Sequence, residues 1–134
     1  MTEREFVLDA SALLAMLQSE PGNARVLEIL DRCVMHTVNV AEVIGKLVRS
    51  GVPLERTEAM LDELHLSTEP RLDEAGKCGG LLGTRRDLGL SLGDCVCLTT
   101  AACAGAVAVT ADRRWKGLDG LDLGGARVRV EVLR

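Results

Sequence analysis

Apolar and polar positions alternate along this chain between two rhythms, one of short runs and one of helical spacing. "FVLDASALLAMLQ" (residues 6–18) opens with three apolar residues that stop at Asp9 and continues with leucines and Met16 at helical spacing. That pattern predicts a strand feeding a helix capped by Asp9 or Ser11. A second helix is predicted after Pro21, through Val26, Leu30 and Cys33, and "VMHTV" then predicts a short buried strand. In "NVAEVIGKLVRSG", Val40, Val43, Ile44, Leu47 and Val48 fall at i, i+3, i+4, i+7 and i+8, with Asn39 as the expected N-cap and Gly51 beyond the C-terminus. Pro53 suits the first turn of a further helix through Leu54, Met60, Leu61 and Leu64, before a brief strand in "LHLS".

In the second half a helix is expected from Pro70 through Leu72, Ala75 and Leu82, although Gly76, Gly79 and Gly80 each weaken it by about 1 kcal/mol relative to alanine. "LSLGDCVCLTTAACAG" (90–105) predicts a helix capped by Ser91 or Asp94 and ended by Gly105, and "AVAVT" predicts a buried strand ending at Thr110. "RVRVEVL" alternates strictly, as a half-exposed edge strand does. Strands alternating with helices imply an α/β fold, a parallel sheet with helices on both faces, and the 134 residues suit one domain, 1–134. In such sheets ligands gather outside the carboxyl ends of the strands.

Composition narrows the function classes. Apolar residues make up 47% and charged residues 27%, with glycine and proline spread out, so no long segment has the signature of disorder. "MTEREFVLDA" lacks a basic region followed by an apolar run of signal-peptide length, so a cytoplasmic protein is expected. The longest small-apolar run, "AACAGAVAV", is too short for the roughly 20 residues of a membrane helix, and no membrane association is expected. The net charge of -4 argues against a general polyanion-binding module, yet 13 of the 16 basic residues are arginines, whose planar fork grips phosphate. With Phe6 and Trp115 the only aromatic residues, single strands cannot be read on an aromatic platform; nucleic acid would be held by its phosphates.

Five cysteines, an odd number, are expected to be reduced packing residues. The three between Asp94 and Gly105 form no common site, because a helix advances by about 100° per residue. Cys95 and Cys97 then point to nearly opposite sides and Cys103 to a third, while Cys95 shares a face with Leu98 and Ala102.

The chemistry lies with acids at element boundaries: Asp9 after the first strand, Glu42 in the first turn of its helix, Asp94 at a helix start and Asp112 just after "AVAVT". Taken singly, each is explained as a helix cap, and Asn39 with Glu42 and Ser91 with Asp94 have capping-box spacing. Taken together they are harder to explain that way. Clustered carboxylates repel one another unless a cation sits between them. An all-oxygen set suits Mg2+ or Mn2+ rather than zinc or copper, and one or two such ions make water a nucleophile toward phosphorus.

"VLDASAL", "NVAEV", "LSLGDCVCLTTA" and "AVAVTADRRW" resemble the four acidic motifs of PIN-domain ribonucleases, in the right order and over nearly the whole chain. No single motif is specific; the ordered set at this length is. The compact form resembles the VapC-type toxins of bacterial toxin–antitoxin pairs. The resemblance implies a metal-dependent endoribonuclease using Mg2+ or Mn2+, a sheet of four or five parallel strands between helices in three layers, a homodimer, an RNA substrate and a cognate antitoxin that blocks the site. Carried over by position, Asp9 and Asp94 match the principal metal-holding acids, Glu42 and Asp112 complete the quartet, and Ser11 and Thr110 match hydroxyl positions that orient a carboxylate, water or phosphate. Many relatives carry a further acid shortly after the fourth motif. Here Arg113, Arg114, Trp115 and Lys116 precede Asp119, which leaves the number of metals open.

Arg113, Arg114 and Lys116 are the first candidates for phosphate contacts beside an acidic pocket, and Arg85 and Arg86 the second; a solvated charged face is the plain alternative for each. Trp115 is expected to anchor packing, and His36 and His65, without partners at metal-ligand spacing, to be structural. Neither G-x-G-x-x-G nor a Walker A motif occurs, and "LDASA" lacks the second aspartate of a D-x-D phosphotransferase. The competing class is a catalytically weak PIN-like module that binds RNA or protein.

Overall fold

A computed structural model describes residues 4–134. Its centre is a five-stranded sheet of β1 (Phe6–Leu8), β2 (Cys33–His36), β3 (Ser67–Glu69), β4 (Val107–Thr110) and β5 (Val130–Val132), ordered β3-β2-β1-β4-β5. Every neighbouring pair is parallel. The helices are α1 (Ala10–Leu17), α2 (Asn23–Ile29), α3 (Thr37–Arg49), α4 (Leu54–Glu63), α5 (Ala75–Thr84) and α6 (Leu92–Ala104). The expected three-layer α/β class is present, with all five strands parallel.

Alternation along the strands sends side chains to two cores. Leu8, Met35 and Val109 join Leu13, Val26, Ile29, Val43 and Leu47 of α1 to α3 on one face. Val7 and Ala108 join Cys78, Leu81, Cys95, Leu98 and Trp115 on the other. The chain builds outward from β1 to β2 and β3 and then returns to place β4 on the opposite side of β1. The order therefore reverses between β1 and β4, the place where parallel α/β sheets open a crevice at their carboxyl ends.

Several expected boundaries move. Cys33 does not close α2 but opens β2, after a 3-10 turn at Leu30–Arg32. The helix after Pro70 begins only at Ala75. The "LHLS" strand shifts to Ser67–Glu69, and the strand in "RVRVEVL" lies at the sheet edge as expected but spans only Val130–Val132. Asn39 is not an N-cap: α3 starts at Thr37, because the His36 imidazole takes the capping role by accepting from Val38 N (3.1 Å). The other ring nitrogen of His36 lies 3.2 Å from Arg71 O, so this histidine is structural. Glu42 is consequently one turn deeper in α3 than expected.

All five cysteines are free thiols. Cys95 is fully buried in the cluster that also holds Leu98 and Ala102, whereas Cys103 is exposed. Cys95→Ser places a hydroxyl in that apolar site and is expected to cost about 1–3 kcal/mol; Cys103→Ser is expected to be near neutral. Urea unfolding of both variants checks this, and equal midpoints for the two would contradict it.

Candidate active site

Four separate segments deliver the four acids to one cavity of about 350 Å3 at the β1/β4 crevice. Its lining includes Asp9, Ser11, Asn39, Glu42, Lys46, Ser91, Asp94, Asp112 and Arg114. A groove of about 420 Å3 between α5 and residues 121–124 carries only one acid, Asp122, and so lacks comparable chemistry.

Asp9 follows β1 and caps α1, its Oδ1 accepting from Ala12 N (2.8 Å). Ser11 donates its hydroxyl to Oδ1 (2.7 Å) and Thr110 donates to Oδ2 (2.5 Å). Both hydroxyl protons are thus directed at Asp9, so the 3.2 Å approach of the two oxygens to each other is a contact rather than a further strong bond. The same oxygens accept from the chain leaving β4, Ser11 Oγ from Ala111 N (2.9 Å) and Thr110 Oγ1 from Asp112 N (3.0 Å). Ser11 and Thr110 therefore tie the first acid to the segment that carries the fourth.

Asp94 is the third helical residue of α6 and completes a capping box: Ser91 Oγ accepts from Asp94 N (3.1 Å) and Asp94 Oδ2 accepts from Ser91 N (2.9 Å). Capping and exposure to the cavity coexist in this residue. Asp112 caps the 3-10 turn Arg113–Leu118. Arg114 grips it with Nε on both carboxylate oxygens (3.1 Å each) and with its terminal nitrogen on Oδ2 (2.7 Å). Glu42, half-buried on α3, accepts from Asn39 Nδ2 (3.1 Å).

The electrostatics of the acids diverge. Burial pushes the Asp9 carboxyl up to about 6, against the hydrogen bonds from Thr110, Ala12 and Ser11, with the negative charge of Asp94 adding to the rise. Hydrogen bonds from the Arg114 side chain hold Asp112 below its ordinary value. Burial, with the nearby charges of Asp9, Asp94 and Glu42, raises the Cys97 thiol well above the ordinary range, so it stays protonated beneath the acids.

The Asp9 shift has a sign that can be tested. The unfolded chain loses this proton near 3.8 and the folded chain near 6, so the folded state holds more protons between those values. Stability from this group is complete below about pH 4 and is lost as pH rises through about 6, by about 3 kcal/mol. Urea unfolding in chelator between about pH 4 and 7 should show that decline. Asp9→Asn should flatten it, and an unchanged slope in the variant would contradict the assignment.

Of the basic candidates only Arg114 lines the cavity. Arg113, Lys116 and Arg86 are exposed elsewhere on the surface, and Arg85 pairs with Asp87 (3.1 Å). Lys46 lines the cavity although its sequence context did not single it out; the signal was its i+4 position from Glu42 on one helix face. Asn39 lines the cavity too, although its spacing from Glu42 points to a helix cap.

The donor set is all oxygen and lines a single cavity, which fits a hard divalent cation such as Mg2+ or Mn2+. Among the described residues no three His, Cys, Asp or Glu side chains are drawn together closely enough to hold an ion as they stand. Asp9 is instead turned to its two hydroxyls and Asp112 to Arg114.

Solved structures share this architecture. A chain of the DNA-bound VapBC structure from Salmonella typhimurium aligns with a TM-score of 0.68 at 17% identity, covering 97% of this chain and 98% of that one. A toxin–antitoxin complex from Klebsiella pneumoniae gives a TM-score of 0.67 at 14% identity, with 97% and 98% covered. VapBC-5 from Mycobacterium tuberculosis gives 0.63 at 23% identity, with 98% of each chain covered. No curated protein matches the sequence. At the sequence level residues 6–121 match the PIN domain family, a span that takes in all four acids and the strands and helices that position them. With that span and this fold, the chain belongs to the PIN domain family.

Proposed function

We propose that this protein is a metal-dependent endoribonuclease and the toxin component of a VapBC-type pair, acting in the cytoplasm as a homodimer and restrained by a cognate antitoxin. The observation that carries the proposal is the convergence of Asp9, Glu42, Asp94 and Asp112, from four chain segments, on one cavity at the crevice of a parallel sheet. The family membership supports nuclease chemistry, and the shared fold with chains from toxin–antitoxin complexes supports the partner class.

Asp9, Glu42, Asp94 and Asp112 would hold Mg2+ or Mn2+. When bound, such an ion supplies Lewis acidity that strengthens water as a nucleophile and offsets charge on the phosphate. Ser11 and Thr110 orient Asp9 by donating to its two oxygens. Arg114 and Lys46, which both line this cavity, supply positive charge where an RNA phosphate must approach carboxylates that would repel it.

Attack by external water leaves products without a 2′,3′-cyclic phosphate, whereas attack by the RNA's own 2′-hydroxyl leaves one. Cyclic ends on the products would contradict the proposed reaction. The toxin assignment predicts that expressing the chain alone slows growth and that co-expressing a neighbouring small protein relieves the effect; no growth defect would contradict it. A second reading, a catalytically weak PIN-like module acting by RNA or protein binding, is favoured by the pairing of Asp112 with Arg114. It predicts tight RNA or protein binding with no cleavage at any Mg2+ or Mn2+ concentration.

A further inference from the structure

We propose that Asn39 and Gly93 fix the Glu42 carboxylate in the acid cavity, with Asn39 acting as a positioning residue and Gly93 providing the space. The inference rests on the cavity being a divalent-cation site. Asn39, 1% exposed on α3, donates from Nδ2 to two acceptors, Glu42 Oε1 (3.1 Å) and Gly93 O (3.0 Å). Neither acceptor can donate when Glu42 is ionised, so the amide has one sensible orientation; turned over, its oxygen would face two oxygens.

That orientation leaves Asn39 Oδ1 buried without a hydrogen-bond partner among the described residues. A buried, half-satisfied amide is disfavoured by stability alone, where an apolar residue would serve better. Gly93 carries a parallel cost. It lies in the first turn of α6, its backbone is outside the left-handed region, and nothing local requires a glycine there. A Cβ at Gly93 would overlap Glu42 Oε1 and stand 2.7 Å from Glu42 Cδ. Two departures from what a helix prefers therefore serve one carboxylate.

Their effect is to set Glu42 relative to Asp94. The bond from Asn39 to Gly93 O joins α3 to the residue immediately before Asp94, whose own position is held by the capping box with Ser91. Groups that orient metal-holding side chains typically change metal affinity by about 10–100-fold when removed.

The test measures Mn2+ affinity by calorimetry on chelator-stripped full-length protein, together with the unfolding midpoint, for wild type, Asn39→Ala, Gly93→Ala and Leu47→Ala. Leu47 is a buried α3 residue outside the cavity lining, so its truncation destabilises the helix packing without touching Glu42. Asn39→Ala and Gly93→Ala are each expected to weaken Mn2+ binding by about 10–100-fold, measured well below the midpoint. Leu47→Ala is expected to lower the midpoint and leave the affinity unchanged. If Asn39→Ala does not fold, Gly93→Ala decides alone, because it removes no buried group. Unchanged affinity in the Asn39 and Gly93 variants, or an equal loss in Leu47→Ala, overturns the positioning role while leaving the cation site standing. A wild type that binds no Mn2+ overturns the cation reading of the cavity and this inference with it.

Discussion

Asp94→Asn is expected to lower RNA cleavage by at least about 100-fold while leaving the fold intact. The separation of the two effects follows from how Asp94 is held. Its structural duty is to accept from Ser91 N through one oxygen, while its backbone N–H donates to Ser91 Oγ. Asparagine keeps a side-chain oxygen and the backbone N–H, so the capping box survives and stability should change by less than about 1 kcal/mol. What asparagine removes is the negative charge on the cavity wall, which is what a divalent cation would require there. Cleavage rate and urea midpoint measured on the same preparation check this. Loss of both together, or retention of both, would show that Asp94 acts only as a cap.

Trp115→Ala is expected to produce the opposite pattern, a loss of about 3–5 kcal/mol that removes fold and activity together. Trp115 is fully buried and belongs to the core on the α5/α6 face of the sheet, with Leu118, Leu123 and Val128. Its backbone N–H donates to Asp112 O (3.1 Å), so the residue also anchors the turn that presents Asp112 and Arg114 to the cavity. Against a typical total stability of about 5–15 kcal/mol, such a loss leaves a large unfolded fraction. Trp115→Phe supplies the control. The indole N–H is buried without a hydrogen-bond partner among the described residues, so phenylalanine loses volume but also removes an unsatisfied donor. It should stay folded and active. Thermal unfolding of the two variants checks this, and equal destabilisation by alanine and phenylalanine would contradict it.

The parts of this molecule legible in its sequence are those where a strong pattern meets a boundary residue. Asp9, Ser91 with Asp94, Gly105 and Asp112 all stand where an apolar strand or a helix begins or ends, and each occupies that place in the fold. Asn39 shows why the rest was harder. Residues three apart are neighbours both in a capping box and on a helix face, so the Asn39–Glu42 spacing fits either arrangement. The alternative that formed depends on His36, whose imidazole caps α3 three residues upstream of the expected cap. The shifts at Cys33 and at Ala75 have the same character, since tertiary pairing and a glycine-rich sequence decide boundaries that periodicity leaves open. The approach of Gly93 to Glu42 and the grip of Arg114 on Asp112 are contacts made between two helices or within one turn, and neither leaves a periodic trace.

The most direct measurement is cleavage of a diverse RNA pool by the purified chain, stripped with chelator and then supplied with increasing Mg2+ or Mn2+. Cleavage should be absent in chelator, appear as the ion is added, and disappear again when chelator is restored. Cleavage that persists in chelator, or no cleavage of any RNA at any ion concentration, would contradict a metal-dependent ribonuclease built on Asp9, Glu42, Asp94 and Asp112.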